Sequence, residues 1–88
     1  MAWTIDLSEE AEGRLRDIPR KQRLQIVKAI GAMEQDPFAG NVKALQGEEW
    51  KGIYRKRTGR YRIIFKADRS SFHVGIAAIL LRTEKTYR

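Results

Sequence analysis

The chain contains no cysteine, one histidine and two prolines among its 88 residues. Without cysteine it has no disulfide, no thiol nucleophile and no cysteine-based metal site. One histidine and a few carboxylates do not form a recognisable ligand cluster, so we expect neither a metal nor another cofactor. Long apolar runs are also missing: the longest, residues 74–81, is far too short to span a bilayer. We therefore expect no membrane association.

The start of the chain, Met-Ala-Trp-Thr-Ile-Asp, lacks the basic residues and apolar run of a secretory signal, so a cytoplasmic protein is expected.

Acidic residues are absent from residues 51–66, which hold seven basic side chains. The formal net charge of the whole chain is +7. This surplus favours a polyanionic partner, such as nucleic acid, the ribosome or an acidic protein. A chain of this length predicts one domain, residues 1–88, with a modest core and shallow binding grooves.

The basic stretch has the pattern of a β-hairpin. Two β-rich runs flank Thr-Gly at residues 58–59, and glycine at the second loop position supplies the positive φ of a tight turn. This loop pairs Arg57 with Arg60 and Arg55 with Arg62, so all four arginines share one face. Like charges side by side repel, which favours a docked polyanion over the alternative of a solvated basic edge. The opposite face is predicted to carry Tyr54, Tyr61, Ile63 and Phe65.

Two helices are predicted in the first half of the chain. Ser8, followed by two glutamates, is a typical helix start, because its hydroxyl caps free N–H groups and negative charge favours the first turn. Pro19 ends this helix. The second helix is predicted over residues 21–35, and Pro37 follows it. Its apolar stripe is predicted to contain Ile26, Ile30 and Met33, with Leu24 and Val27 alongside.

Strands are predicted on both sides of the helix pair. Residues 3–7 alternate apolar and polar side chains, and the nearly continuous apolar run at 72–81 is typical of a buried internal strand. Residues 37–49 are predicted to be a loop, and two further strands are expected at 50–57 and 60–67. The fold class is therefore α+β: an N-terminal strand, a two-helix hairpin and a three-stranded antiparallel meander form one sheet. The helices cover one face, and the arginine face is open to water.

Four segments in order resemble the RelE/ParE toxin superfamily of bacterial type II toxin–antitoxin systems. They are 43–47 (Lys-Ala-Leu-Gln-Gly), 50–57 (Trp-Lys-Gly-Ile-Tyr-Arg-Lys-Arg), 59–65 (Gly-Arg-Tyr-Arg-Ile-Ile-Phe) and 82–88 (Arg-Thr-Glu-Lys-Thr-Tyr-Arg). The resemblance covers essentially the whole chain. It implies a RelE-like fold and a cognate antitoxin as partner.

The resemblance leaves two activities open. RelE-like members are ribosome-dependent endoribonucleases that cut mRNA, whereas ParE-like members bind DNA gyrase and cleave nothing. The RelE-like branch is favoured here by the arginine face and by the terminal Arg/Tyr pair. A third alternative is an inert basic module that binds operator DNA only through its antitoxin complex.

Cleavage of RNA without a metal needs stabilisation of the extra negative charge on the pentavalent phosphate, a task that suits arginine. Arg55, Arg57 and Arg62 are the natural phosphate clamp. By resemblance, Arg62 matches the strand arginine of the family, Arg55 a basic position of the RelE-like enzymes, and Arg82 the arginine before the C-terminal tyrosine. Arg82 lies five residues before that tyrosine, whereas the family usually has three, four or six. Further phosphate-binding side chains are expected at Arg60, Lys43, Lys51 and Lys66.

The residue that removes the proton from the attacking 2′-hydroxyl has several candidates. By resemblance, Tyr87 matches the C-terminal tyrosine, which acts as a base or as a stacking group, although packing against the sheet is the alternative. A free phenol is a poor base at neutral pH unless neighbouring cations lower its pKa. His73 is the sole imidazole, but a histidine at the start of an apolar strand is more often structural or antitoxin-facing than catalytic. Glu48 and Glu49 are second-line candidates, since some RelE relatives use a carboxylate base from this region.

Overall fold

The computed structural model describes residues 2–83, and its first helix confirms the predicted capping. Helix α1 spans Glu9–Asp17 and begins after Ser8, whose hydroxyl accepts a hydrogen bond from Ala11 N–H at 3.0 Å. The same hydroxyl donates to the Ala77 carbonyl at 2.8 Å, which ties the helix start to the sheet. Helix α2 spans Arg20–Ala32 and ends three residues before the predicted boundary, because the chain turns at residues 33–35.

Five strands form one mixed sheet, one strand more than predicted. Their bounds are Thr4–Leu7 (β1), Val42–Ala44 (β2), Ile53–Thr58 (β3), Tyr61–Asp68 (β4) and His73–Leu81 (β5). The spatial order is β1-β5-β4-β3-β2. Strand β1 runs parallel to β5, and the other three pairings are antiparallel. The α+β class, the meander β3-β4-β5 and the internal position of β5 are thus confirmed.

Strand β2 lies inside the segment predicted to be a loop. It has three residues, too few for an alternating pattern to show, and it forms because Val42, Lys43 and Ala44 pair with β3. The predicted start of the next strand at residue 50 is also wrong. Residues Glu48–Trp50 form a single 3₁₀ turn, and β3 begins only at Ile53.

The main core lies between the helix pair and one face of the sheet. Ala11, Ile18, Ile26 and Met33 of the helical half pack against the predicted inner face of the hairpin and against β5. Tyr61, Ile63 and Phe65 are buried there, as the alternation predicted. Leu24 and Val27 do not join this core: their exposed fractions are 54% and 48%, because they lie on the outer side of α2. The face of the sheet opposite this core is called the open face below.

Candidate nucleic-acid interface

The hairpin that carries the arginines has a different register from the predicted one. Thr58 pairs with Tyr61, so the two loop residues are Gly59 and Arg60. Gly59 has a φ of +57° at the first loop position, where a type II′ turn requires glycine. Arg57 therefore lies opposite Arg62, not opposite Arg60. Arg55 lies opposite Ile64.

Three of the four arginines nevertheless share the open face, because the shift in register is an even number of residues. Arg55 and Arg57 alternate along β3, and Arg62 faces Arg57 across the strand pair. Arg60 lies in the turn instead. Lys43 of β2 pairs with Arg55 and adds a further cation to this face. These four residues, Lys43, Arg55, Arg57 and Arg62, are called the basic cluster below.

The basic cluster is electrostatically strained. Burial lowers the pKa of Arg55 below its usual value, and the positive charges of Arg57, Arg62 and Arg82 lower it further. Arg55 stays protonated at neutral pH, since an arginine pKa starts far above 7. Arg82 thus lies close enough to Arg55 for its charge to act on that guanidinium, while its predicted role in the site stays a prediction. A bound anion would relieve the repulsion among these side chains.

A cleft of about 590 Å³ adjoins the basic cluster at the turn end of the sheet. Its lining is Arg60, Arg62, Leu81, Arg82 and Thr83. Two of the lining residues are joined by a backbone hydrogen bond of 2.8 Å from Arg82 N–H to the Arg60 carbonyl. Arg62 belongs to both the cluster and the cleft, so one guanidinium connects the two.

Two guanidinium nitrogens of the basic cluster are buried without a hydrogen-bond partner in the described chain. They are the Nε atoms of Arg57 and Arg62, which face each other across β3 and β4. A buried donor without a partner destabilises a fold by about 1–3 kcal/mol. Phosphate oxygens are strong acceptors that guanidinium groups bind in pairs, so a phosphate docked on this face would satisfy both nitrogens once the two side chains turn toward it.

The open face also carries a small apolar cluster, which the sequence reading did not anticipate. Ile64, Ala78 and Leu80 are exposed by only 2%, 1% and 8%, although the helices lie on the other side of the sheet. They lie in register with the arginines: Leu80 pairs with Arg62, and Ala78 pairs with Ile64. Because of these neighbours the arginines are half-buried rather than fully exposed.

His73 lies far from the basic cluster. It starts β5, whereas Arg62 pairs with Leu80 seven residues later, a separation of roughly 20 Å at about 3.3 Å per residue. Its Nε2 forms a hydrogen bond of 2.5 Å with an oxygen of Asp6, a residue of β1. This contact joins the two parallel strands and gives the imidazole a structural partner.

The remaining predicted residues also lie away from the cluster or outside the described chain. Lys66 is exposed on the open face, four residues along β4 from Arg62, and Lys51 is exposed in the turn before β3. Glu48 and Glu49 are exposed in the 3₁₀ turn. Tyr87 lies outside residues 2–83, so its predicted role stays a prediction.

One residue beside the cluster was missed by the sequence reading. Asn41 precedes β2, and its side-chain oxygen accepts a hydrogen bond from Arg55 Nη1 at 3.4 Å. Its backbone carbonyl accepts from Arg57 N–H at 3.0 Å. A correct prediction of β2 would have placed Asn41 next to the arginines, but three residues give too weak a signal.

Two searches of the described residues gave negative results. No group of three or more histidines and carboxylates within residues 2–83 is arranged to hold a metal ion. Neither helix is long and apolar enough to cross a membrane.

Comparison with known proteins gives matches by structure and none by sequence. No protein-family model matches the chain, and no curated protein is similar enough to count as a match. Among solved structures, the toxin–antitoxin complex RelBE2 of Mycobacterium tuberculosis matches with a TM-score of 0.81 at 23% identity, over 93% of this chain and 100% of that one. The RelE–RelB complex of Pyrococcus horikoshii matches with a TM-score of 0.82 at 20% identity, over 96% and 99% of the two chains.

A third structure extends the range of relatives. The YoeB/ParE toxin of Agrobacterium tumefaciens matches with a TM-score of 0.74 at 15% identity, over 89% of this chain and 96% of that one. Identities this low show a shared fold, and nearly complete coverage of both chains shows that the likeness extends to the whole domain.

Proposed function

We propose that this chain, which has the fold of the RelE-like toxins, is the toxin of a type II toxin–antitoxin pair and cleaves mRNA on the ribosome. The observation that carries the proposal is the pair of buried, unpartnered Nε atoms of Arg57 and Arg62 within the basic cluster. A fold gains nothing in stability from like charges held together in this way. The arrangement becomes favourable when a phosphate group supplies the missing acceptors.

The chemistry assigned to the basic cluster is stabilisation of the transition state. The 2′-hydroxyl gives up its proton to a base and its oxygen attacks the neighbouring phosphorus, which gives a pentavalent phosphate with additional negative charge. This species collapses to a 2′,3′-cyclic phosphate as the bond to the 5′-oxygen breaks, and the leaving 5′-oxygen takes up a proton. Arg55, Arg57 and Arg62 supply fixed positive charge at that point, and their repulsion in the free protein is relieved as the charge develops. Arg82 and Arg60 line the adjoining cleft and hold the next part of the RNA backbone.

By resemblance, Tyr87 acts as the base or as a stacking group, and it stays one of several candidates for the base. His73 is held by Asp6 at the far end of β5, which makes it a poor candidate for the same reaction centre. Glu48 and Glu49 lie in the 3₁₀ turn of the connection between β2 and β3, and they stay second-line candidates.

The partners proposed with this activity are an antitoxin, the ribosome and mRNA, in the cytoplasm. The structures of M. tuberculosis and P. horikoshii that share the fold are themselves toxin–antitoxin complexes, which supports an antitoxin partner. Binding of operator DNA is expected only through that complex.

The test is primer extension on a reporter mRNA in a bacterial translation extract, comparing the wild type with Arg62→Ala. New 5′ ends are expected in translated regions for the wild type, with a loss of about 100-fold or more in the variant, because a charge-stabilising donor is removed. Arg20→Ala, an exposed arginine of α2, is the matched control and should cleave like the wild type. New ends that persist in Arg62→Ala would contradict the assignment of Arg62.

Gyrase binding without cleavage is the second candidate. The exposed Leu24 and Val27 on α2 favour it, since paired apolar side chains on a basic helix suit a protein partner. This reading predicts no new 5′ ends and an inhibited supercoiling reaction. It also predicts that Leu24→Ser relieves the inhibition while Arg62→Ala does not.

A further inference from the structure

The connection between α2 and β2 contacts the basic cluster through Asn41. The backbone carbonyl of Asn41 accepts a hydrogen bond from Arg57 N–H at 3.0 Å, which extends the pairing of β2 with β3 by one bond. Its side-chain oxygen accepts from Arg55 Nη1 at 3.4 Å. The backbone bond does not depend on the side chain, so the amide of Asn41 is not needed to hold the strand pair.

The segment that presents Asn41 is itself fixed at several points. Lys56 Nζ donates to the Ala39 carbonyl at 2.7 Å, and Phe38 N–H donates to Asp36 Oδ1 at 2.9 Å. The ring of Phe38 packs edge-on against Tyr54 and lies under the Arg69 guanidinium, 4.2 Å from its centroid. The backbone that leads to Asn41 is therefore held in place beside β3, and its amide oxygen lies within hydrogen-bond distance of Arg55.

The electrostatic setting explains why a neutral acceptor suits this place. Besides burial, the groups that lower the pKa of Arg55 are cations, and they push its guanidinium away from the cluster. A carboxylate in place of the amide would hold the guanidinium more strongly, but it would also neutralise the charge that a phosphate needs. An amide oxygen restrains the guanidinium and leaves its full charge available.

We propose that Asn41 is a positioning residue, whose amide carbonyl holds Arg55 on the open face in the orientation that receives a phosphate of RNA. The inference rests on the proposed function for the identity of its ligand. With this role for Asn41, the α2–β2 connection becomes part of the site. Neither the charge of the basic stretch nor the pattern of the hairpin indicates this.

The test compares three variants of the full chain in equilibrium binding to a fluorescent single-stranded RNA at several salt concentrations. Asn41→Asp should pair with Arg55, remove one cation from the interface and reduce the slope of log K against log salt by about 0.7. Asn41→Ala keeps every charge, so its slope should match the wild type, while mRNA cleavage falls by about tenfold because Arg55 is misplaced. Gln46→Glu, an exposed amide beyond β2, adds the same charge away from Arg55 and should leave the slope unchanged.

The outcomes separate the inference from the proposed function. Two results would overturn the role of Asn41 while leaving the nuclease intact. One is a slope of log K against log salt for Asn41→Asp that equals the slope for Gln46→Glu, and the other is full cleavage by Asn41→Ala. A wild type that binds RNA and cleaves none, combined with the reduced slope of Asn41→Asp alone, would support the positioning role and remove the nuclease. Absence of RNA binding by the wild type would overturn both. The melting temperature of each variant is measured alongside, and values within about 2 °C of the wild type are expected for exposed substitutions.

Discussion

At the scale of single residues, Arg55 shows that this surface works against the stability of the fold. Its pKa is lowered by burial and by neighbouring arginines, so its charged form is less favourable in the folded chain than in the unfolded one. When the pKa of a basic group is lower in the folded state than in the unfolded state, the unfolded state binds the proton more tightly. The free energy of unfolding is then reduced at all pH values below the folded-state pKa. Because that pKa belongs to an arginine, the reduction persists throughout the neutral range.

Replacing Arg55 by methionine is therefore expected to stabilise the protein and weaken RNA binding. Methionine keeps an unbranched apolar side chain for the half-buried position and removes the charge. The melting temperature should rise by about 2–4 °C, and RNA affinity should fall by roughly tenfold at low salt. Thermal denaturation and RNA titration measure the two effects. Arg20→Met, at an exposed helix position, should change neither, and a lower melting temperature for Arg55→Met would contradict the expected strain.

The residues of the candidate site were predictable to different degrees. Arg57 and Arg62 were placed on one face correctly, because the observed register differs from the predicted one by two residues and an even shift keeps each side chain on its face. Arg60 was placed on that face wrongly. Its position depends on which loop position Gly59 occupies, and the sequence does not determine this. Asn41 was missed because its contact with Arg55 is tertiary and joins residues 14 apart.

At the scale of elements, one side chain at the start of α1 both caps the helix and ties it to the sheet. Ser8 accepts from Ala11 N–H as the helix cap and donates to the Ala77 carbonyl of β5. Helix starts of this kind are the part of the fold that the sequence predicted well, because the capping residue and the first turn are adjacent in the chain. Strand β2 was missed because its stability comes from its neighbour rather than from its own residues.

Ser8→Ala is expected to lower the free energy of unfolding by about 1–2 kcal/mol, because both hydrogen bonds are lost. Ser8→Asp restores the cap acceptor but not the donor to Ala77, so it should recover about half of the loss. Urea denaturation of both variants gives the measurement. Equal destabilisation by alanine and aspartate would show that the helix cap contributes little and that the bond to the sheet dominates.

At the scale of the whole molecule, the fold has two apolar layers on opposite faces of one sheet. The larger layer lies under the helices, and the smaller one, Ile64, Ala78 and Leu80, lies among the arginines. The alternation of the hairpin predicted the first layer. It did not indicate the second, because consecutive isoleucines at 63 and 64 place one apolar side chain on each face, and the sequence alone does not show how far the second is covered.

The charge of the whole molecule predicts a strong response to acid. Eleven carboxylates offset 18 lysines and arginines at neutral pH, so their protonation raises the net charge from +7 to about +18 and increases repulsion within the fold. Asp68 adds to the response: the hydroxyl and N–H of Ser70 lower its pKa, and its stabilising contribution is lost as pH falls through that value.

Between pH 7 and pH 3 the melting temperature is expected to fall by roughly 5–15 °C at low salt. Added salt should restore part of the loss at pH 3 by screening the repulsion. Thermal scans at two salt concentrations test this, and a loss that salt does not reduce would show that repulsion is not its main cause. Asp68→Asn should remove a small part of the pH dependence.

The parallel pairing of β1 with β5 has a consequence for how the protein is made. The first strand of the chain finds its partner only in the last one, through contacts such as Ile5 with Val74 and Leu7 with Ile76. During synthesis, residues 4–7 therefore leave the ribosome before the strand they need, and the sheet is completed only after residues 73–81 have emerged. Pairing between strands so distant in sequence slows folding. A newly made chain thus carries β1 without its partner strand until β5 has emerged.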